Sequence, residues 1–219
     1  MRLDLRLYAL IDPERAGTRS LAAIAKLVAP AVTLVQLRDK NGGTRAMIEE
    51  ARAIRAALAS SRVPLLINDR VDVALAAQAE GVHIGQDDIA AADARRLLGR
   101  EAIIGLSLKT VAQAETSPIQ HLDYVAIGGV FVTQSKDNPD PPVGIEGFKA
   151  ILAVIRARAP KMPVAAIAGI DAGNAASVVA AGADGVAVIS ALSLAADPAL
   201  AAQALRKVVD DALAKRGSR

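Results

Sequence analysis

Two aspartates follow short apolar runs that look like β-strands. Asp69 comes just after Val63–Ile67, and Asp88 comes just after Gly81–Ile84. In a fold of parallel strands, the carboxyl ends of neighbouring strands share one face, where ligands bind. A magnesium ion takes one or two carboxylates and completes its coordination with water and phosphate oxygens. The spacing therefore predicts a metal site formed by Asp69 and Asp88, with Asp87 as a competing second ligand.

A polar set lies along the strand-like run before these. Side chains alternate along a strand, so Gln36, Arg38 and Lys40 share one face while Val35 and Leu37 share the other. In a barrel the apolar face packs under helices, and the polar face must look inward. Two cations and an amide at that position would suit an anionic, phosphate-bearing ligand. The alternative is a strand end that frays into solvent, with these side chains simply hydrated.

Two later runs end in residues that suit a phosphate group. The run 164–167 leads to Gly169, and the run 186–189 leads to Ser190. Barrels frequently bind phosphate through backbone amides of the loops after their last two strands. Gly169 allows close approach of the backbone, although a glycine in an ordinary strand-to-helix turn explains it as well.

Two residues with catalytic potential have plainer explanations. Ser107 ends a strand-like run, where a serine is commonly a helix N-cap. No histidine and aspartate partners are apparent that would make it a nucleophile. His83 alternates with Val82 and Ile84, which favours a hydrogen-bonded structural histidine over a catalytic one.

The segment 128–146 is long for a connection inside a compact domain, and it is rich in proline and glycine. Such segments are usually lids or binding loops. Thr133, Ser135 and Lys136 bring two hydroxyls and an ammonium group together there. A polar loop rich in turn-forming residues is the plainer interpretation.

Behind these residues lie the elements that must position them. Strand-like runs alternate with segments of helical spacing along the whole length, with no linker and no convincing sequence repeat. The predicted strands are Leu5–Ile11, Val32–Leu37, Val63–Ile67, Gly81–Ile84, Ala102–Leu106, Tyr124–Ile127, Val164–Ile167 and Gly185–Ile189. Eight such units predict an α/β protein, a single (β/α)8 TIM barrel spanning residues 1–219, with a flexible tail at about 215–219.

Helix signals support this division. Apolar residues recur at helical intervals in 47–58 and again in 205–212. Thr44 can cap the first of these helices, and Asp69, with Asp72 three residues on, can cap the helix that precedes Gly81. Asn68-Asp69-Arg70 is therefore also compatible with a plain turn and cap.

Composition excludes several classes of function. The chain has 219 residues, 53% hydrophobic but only 2% aromatic, and a formal net charge of +3. It has no cysteine, which excludes disulfides, thiolate metal sites and a cysteine nucleophile. A basic stripe with interleaved aromatics is missing, so nucleic-acid binding is not expected. No run is long enough to span a membrane, and we expect a soluble cytoplasmic protein. The sequence is compatible with a homo-oligomer but does not determine the oligomeric state.

Four motifs in order, 36–40, 68–70, 81–88 and 182–190, make the chain similar to the thiamine phosphate synthase (thiamine-phosphate pyrophosphorylase) family. The resemblance covers essentially the full length. It implies a transferase that joins hydroxymethylpyrimidine diphosphate to a thiazole phosphate and releases pyrophosphate, with Mg2+ as cofactor and these small molecules as its partners.

The resemblance also implies site residues. Those expected to bind the pyrimidine diphosphate are Gln36, Leu37, Arg38, Asp39, Lys40, Asn68, Ser107 and Lys136, of which Arg38, Lys40, Ser107 and Lys136 are the expected catalytic residues. Asp69 and Asp88 would bind magnesium. Those expected to bind the thiazole phosphate are Thr133, Ser135, Gly169, Ile189 and Ser190.

The family mechanism is dissociative: the methylene–oxygen bond breaks to leave a ring-stabilised carbocation, which the thiazole nitrogen attacks. Such a reaction needs electrostatic stabilisation of the departing diphosphate and no enzymic nucleophile. The chain departs from the family pattern at Lys109 (usually histidine), Gly129 (usually proline) and Ala168 (usually glycine). Lys109 keeps a donor and adds charge, and Ala168 narrows a site meant for backbone approach.

Three alternatives use the same barrel. A thiazole tautomerase would have no use for Arg38, Lys40, Asp69, Asp88 and Lys136. A non-catalytic sensor of thiamine precursors would tolerate the changes at 109 and 168. A sugar-phosphate isomerase would need a positioned general base, for which Asp69 would have to serve.

Overall fold

A computed structural model describes residues 3–133 and 141–218, and within them eight parallel strands close into a barrel in sequence order. This confirms the predicted (β/α)8 fold. The strands are β1 Leu7–Ile11, β2 Leu34–Leu37, β3 Leu65–Asn68, β4 Gly81–Ile84, β5 Ile103–Leu108, β6 Tyr124–Ile127, β7 Val164–Ile167 and β8 Gly185–Val188. Three of the predicted strands have the same bounds as β4, β6 and β7, and the other five differ from the observed strands by one or two residues at an end.

The alternation of side chains creates two cores. Val35 and Leu37 on β2 point outward and pack with the helices, as predicted. The inward-facing side chains form a separate cluster inside the barrel, to which Tyr8 and Tyr124 contribute the largest side chains. Small residues make room for them: a Cβ on Gly105 would lie 2.1 Å from Tyr124 Cζ, on the strand next to it.

Helices cover the outside of the barrel. They are α1 Leu21–Val28, α2 Thr44–Leu58, α3 Val71–Ala77, α4 Ala91–Leu98, α5 Val111–Thr116, α6 Gly144–Arg158, α7 Ala175–Ala180, α8 Ser190–Ser193 and α9 Pro198–Gly217, with short 3-10 turns at Pro13–Arg15 and Ile119–His121. The buried residues of α2 are the ones that its helical spacing predicted. None of the helices in the described ranges has an apolar stretch long enough to cross a membrane.

Two helix starts differ from the prediction. Helix α2 is capped by Gly43, and Thr44 is its first residue, whose hydroxyl accepts a hydrogen bond from Arg70 at 2.8 Å. Helix α3 is capped by Arg70 without a side-chain hydrogen bond, so Asp69 is not its cap. The side chains of Thr44 and Asp69 instead contact residues of neighbouring loops, Arg70 and Lys40. Local sequence signals do not show such contacts.

The end of the chain belongs to α9. Residues 215–217 form the last turn of this helix, and the flexibility of the tail stays a prediction. Arg216 holds this turn against the barrel by donating to the carbonyls of Val179 and Ala183, at 3.0 and 2.6 Å.

The long connection between β6 and α6 is closed at its base. The Val143 N–H donates to the Gly129 carbonyl at 2.7 Å, and the Gly144 N–H donates to the Val130 carbonyl at 3.1 Å. Helix α6 begins at Gly144, a little earlier than the sequence indicated. Gly129 has a φ of +69°, which a proline cannot adopt, so the proline that is usual in the family would not fit this backbone.

Candidate active site

Asp69 lies in a tight turn at the carboxyl end of β3. Its φ is +61°, and the Arg70 N–H donates to the Asn68 carbonyl at 2.7 Å, which makes Asp69 the centre of a three-residue turn. The Asp69 N–H donates to the carbonyl of His83 on β4 at 2.8 Å. A non-glycine residue rarely adopts this conformation, and such outliers cluster at functional sites.

Asp69, Asp88 and Lys40 form a charged group at the ends of β2, β3 and β4. Lys40 makes an ion pair with Asp69, and the Asp88 carboxyl lies within hydrogen-bonding reach of the Asp69 carboxyl. The Gly85 N–H fixes Asp88 by donating to Oδ2 at 2.7 Å. Burial raises the pKa of Asp69, and Asp88 raises it further, while Lys40 opposes the rise. Two acidic groups that face each other in this way favour a bound cation.

This donor set fits a magnesium ion. Magnesium is usually held by one or two carboxylates and keeps water and phosphate oxygens as its other ligands. No group of three or more potential metal-binding side chains occurs in the part of the chain that the structure describes. Of the two candidates after β4, Asp88 rather than Asp87 is the one that reaches Asp69.

The polar residues of β2 take two different positions. Gln36 points into the barrel, as predicted, and its Nε2 donates to the Tyr8 hydroxyl. Arg38 makes an ion pair with Asp12, which follows β1 and is only 1% exposed. Asp12 was not predicted as a site residue, although it follows a predicted strand just as Asp69 does. Its pairing fixes the guanidinium of Arg38 at the carboxyl end of the barrel.

The remaining residues of 36–40 have structural contacts. Leu37 is buried in the outer core, so a ligand could meet only its backbone. The Asp39 carboxylate accepts from the N–H groups of Asn41 and Gly42 at 3.0 and 2.7 Å and shapes the loop before α2. Their assignment to the substrate site stays a prediction.

Ser107 has a histidine partner that the sequence did not reveal. Its Oγ lies 2.8 Å from His83 Nε2, and His83 Nδ1 lies 2.8 Å from the Tyr124 hydroxyl. His83 is therefore hydrogen-bonded through both ring nitrogens, which confirms the prediction of a hydrogen-bonded histidine on this strand. Its second nitrogen meets a tyrosine and not a carboxylate, so the arrangement is not a Ser-His-Asp triad.

Two buried amide atoms have no hydrogen-bond partner within the described ranges. They are Gln36 Oε1 and Asn68 Nδ2. Buried polar atoms are nearly always paired in proteins, by other protein groups, water or a ligand. An acceptor on β2 and a donor on β3 are thus available to a molecule bound at the carboxyl ends of these strands.

The ends of β6, β7 and β8 form a second group. Gly169 has a φ of +64°, and an added Cβ would lie 2.3 Å from the Val132 carbonyl oxygen. This contact brings the segment leading to Thr133 against the end of β7. Ile189, predicted as the last residue of the eighth strand, lies between β8 and the short helix α8, whose first residue is Ser190. Among the residues predicted to hold the second phosphate, Thr133, Gly169, Ile189 and Ser190 thus follow the neighbouring strands β6, β7 and β8.

Ser135 and Lys136 lie outside the described residues, so their predicted roles stay predictions. Of the departures from the family pattern, Ala168 has a φ of +90°, a value that suits glycine far better than alanine. Lys109 directly follows β5, two residues after Ser107 and on the same side of the strand.

Comparisons with known proteins show the family of the chain. A sequence model of the family described as thiamine monophosphate synthase matches residues 7–192. The chain belongs to this family. It is 53% identical to the thiamine-phosphate synthase of Agrobacterium fabrum, with 98% of each chain covered, and 45% identical to that of Albidiferax ferrireducens, with 94% and 92% covered. A solved structure of a thiamine phosphate pyrophosphorylase from Pyrococcus furiosus matches with a TM-score of 0.82 and 33% identity, over 97% of this chain and 98% of that one.

Proposed function

We propose that the protein is a transferase that acts as a thiamine-phosphate synthase. It joins hydroxymethylpyrimidine diphosphate to 4-methyl-5-(2-phosphoethyl)thiazole and releases pyrophosphate. The observation that carries the proposal is the meeting of Lys40, Asp69 and Asp88 at adjacent strand ends, in a chain that belongs to this family. The same activity is named for relatives that cover nearly the full chain.

The proposed diphosphate site combines acidic and basic groups. Asp69 and Asp88 would hold magnesium, which neutralises charge on the departing diphosphate when it is bound. Arg38 and Lys40 supply further positive charge at the same end of the barrel, and Lys136 is proposed to join them. Because Asp12 holds Arg38 in place, its charge is oriented before the substrate arrives.

The thiazole phosphate is proposed to bind at the ends of β7 and β8. Gly169 lets the backbone come close to the ligand, and the amide groups around Ile189 and Ser190 are suitable donors to phosphate oxygens. Thr133 and Ser135 are proposed to add hydroxyl contacts. The two substrates would then approach each other from different sides of the barrel mouth.

The expected chemistry needs a cation to form and be captured. The methylene–oxygen bond of the pyrimidine substrate breaks, the electron pair leaves with the pyrophosphate, and the thiazole nitrogen supplies the pair for the new carbon–nitrogen bond. No protein nucleophile is required, and the hydrogen bond between Ser107 and His83 suits an orienting role for this pair. The contribution of the chain is to hold both substrates in line and to keep water away from the cation.

A thiazole tautomerase on the same barrel is less well supported. Such an isomerase handles no diphosphate, and the site has an acidic pair with an adjacent lysine that an isomerase would not need. We further propose a cytoplasmic enzyme, which is where its small charged substrates would be available. A homo-oligomer remains compatible with this function.

The test is pyrophosphate release by the purified protein when both substrates and magnesium are supplied. We expect release to require all three components. Tight binding of the thiazole phosphate without any release would contradict the synthase activity and favour the tautomerase or a sensor.

A further inference from the structure

A hydrogen-bonded chain crosses the interior of the barrel and joins two residues of the proposed pyrimidine site. Gln36 on β2 donates to the hydroxyl of Tyr8 on β1. The Tyr8 hydroxyl lies 2.9 Å from that of Tyr124 on β6, which lies 2.8 Å from His83 Nδ1 on β4. His83 Nε2 then lies 2.8 Å from Ser107 Oγ on β5. The ends of the chain are proposed to touch the substrate, whereas its middle members are not.

The two tyrosines are built into this position. Their side chains are 1% and 0% exposed and pack edge to face, with ring centroids 5.9 Å apart. A side chain on Gly105 would clash with the Tyr124 ring, so β5 leaves the space that this ring occupies. Burial raises the pKa of both Tyr8 and Tyr124, which keeps both hydroxyls protonated.

The proton order along the chain follows from its first member. Because Gln36 donates to the Tyr8 hydroxyl, the hydroxyl proton of Tyr8 has an acceptor in the chain only if Tyr8 donates to Tyr124. Tyr124 then donates to His83 Nδ1, and the proton of His83 lies on Nε2, directed at Ser107. In this order each hydroxyl and ring proton inside the chain has an acceptor, as buried donors require.

This order decides what the two ends offer to a ligand. Gln36 keeps Oε1 as an unpaired acceptor, and the Ser107 hydroxyl, which accepts from His83, keeps its own proton to donate. An aminopyrimidine carries an amino donor and ring-nitrogen acceptors, so it matches one acceptor and one donor. The reverse order would turn the Gln36 amide round and make Ser107 an acceptor, which suits that ring less well.

We propose that Tyr8 and Tyr124 are positioning residues that fix, through this chain, Gln36 as an acceptor and Ser107 as a donor toward the aminopyrimidine substrate. The inference rests on the proposed function for the identity of that substrate. The order of protons is a property of the protein alone, so it can be tested separately from turnover.

The first experiment uses nitrogen-15 NMR of the histidine side chains in the unmodified, ligand-free protein. The sequence has two histidines, and a His121→Gln variant assigns the signals. We expect His83 as the tautomer protonated at Nε2, and a mixture of tautomers in Tyr124→Phe, which loses the donor to Nδ1. An Nδ1-protonated His83 in the unmodified protein would overturn the proposed order, whether or not the protein turns over its substrates.

The second experiment measures steady-state kinetics of Tyr8→Phe and Tyr124→Phe, which keep the rings and remove the hydroxyls. We expect kcat/KM for the pyrimidine diphosphate to fall about tenfold, the equivalent of one buried hydrogen bond, with KM for the thiazole phosphate unchanged. Ser117→Ala is the matched control, because it removes a buried hydroxyl that bonds Arg158 outside the barrel interior. It should leave both values unchanged.

Equal losses for both substrates, or no loss, would show that the tyrosines only fill the barrel. Should the tyrosine variants fail to fold, the tautomer of His83 in the unmodified protein still decides the proposal. A protein that shows the expected tautomer but no turnover would contradict the proposed function and leave the chain of hydrogen bonds intact.

Discussion

At the amino end of the barrel the described residues repeat one arrangement at three places, whereas at the carboxyl end the strands finish in different side chains. Asp123, just before β6, accepts from Arg95 on α4 at 2.6 Å and from the N–H of Ile104 on β5 at 2.8 Å. Asp184, just before β8, accepts in the same way from Arg156 on α6 and from the Val164 N–H on β7. Glu80, just before β4, accepts from Arg55 on α2 and from the Leu65 N–H on β3. Each of these hydrogen-bonded sets, called ties below, joins one helix to two neighbouring strands.

The difference between the two ends follows from what each must do. At the amino end three pairs of neighbouring strands share one kind of anchor, with a sequence separation of 28, 28 and 25 residues between arginine and carboxylate. At the carboxyl end the different residues Asp69, Ser107 and Gly169 follow or end the strands, as the two different substrates of the proposed function would require. Repeated geometry at one end therefore indicates a role in stability, and variety at the other end indicates a role in function.

The largest effect is expected from the acidic pair at the carboxyl end. Asp69→Asn and Asp88→Asn should each lower pyrophosphate release by about 100-fold or more, because the charge that holds the cation is lost at the leaving group. Neither variant should lose thermal stability at pH 7. Near-normal turnover in either variant would show that the metal assignment is wrong.

At the amino end the effect should fall on stability instead. Asp184 accepts from Arg156, Arg216 and a backbone N–H, so Asp184→Asn should lower the free energy of unfolding by about 2 kcal/mol. Asp211→Asn, which removes an exposed pair with Lys207, is the control and should cost under about 0.5 kcal/mol. Denaturant unfolding measures both, and the kcat of the folded fraction should not change. A loss of kcat would mean that the two ends are not separable.

Magnesium should stabilise the unmodified protein through Asp69. The pKa of Asp69 is raised mainly by burial and then by Asp88, so the folded state holds its proton more tightly than the unfolded chain does. In metal-free protein this contribution favours folding below the ordinary pKa of an aspartate and is lost as the pH rises through the folded value. Asp69→Asn removes the titrating group. The melting temperature of this variant minus that of the unmodified protein should therefore increase as the pH rises from acid to neutral.

The matching measurement is thermal unfolding with and without magnesium at pH 7. Added magnesium should raise the melting temperature of the unmodified protein and leave that of Asp69→Asn unchanged. An equal rise in both would place the cation elsewhere.

The smallest effect is expected at Ala168, on the carboxyl side of β7. Its φ of +90° is strained for alanine and relaxed for glycine, so Ala168→Gly should raise the free energy of unfolding by about 1 kcal/mol. Ala166→Gly, inside β7, is the matched control and should lower it, since a strand residue gains nothing from that freedom. Destabilisation by Ala168→Gly would mean that packing outweighs strain there.

The sequence by itself determined the fold and half of the site. Strand periodicity and regular spacing were sufficient to predict the barrel, because these patterns are local and recur along the chain. The rule that strand ends share a face brought Asp69 and Asp88 together correctly, and alternation placed Gln36 inside the barrel.

Only the tertiary structure decided which side chains meet across the barrel. Arg38 with Asp12, Ser107 with His83, and Tyr8 with Tyr124 are separated by 26, 24 and 116 residues along the chain. The repeated ties at the amino end were equally hidden, because their members lie on different elements and share no local motif. Such contacts depend on strand register and barrel closure, which fix the distances between side chains that no local pattern relates.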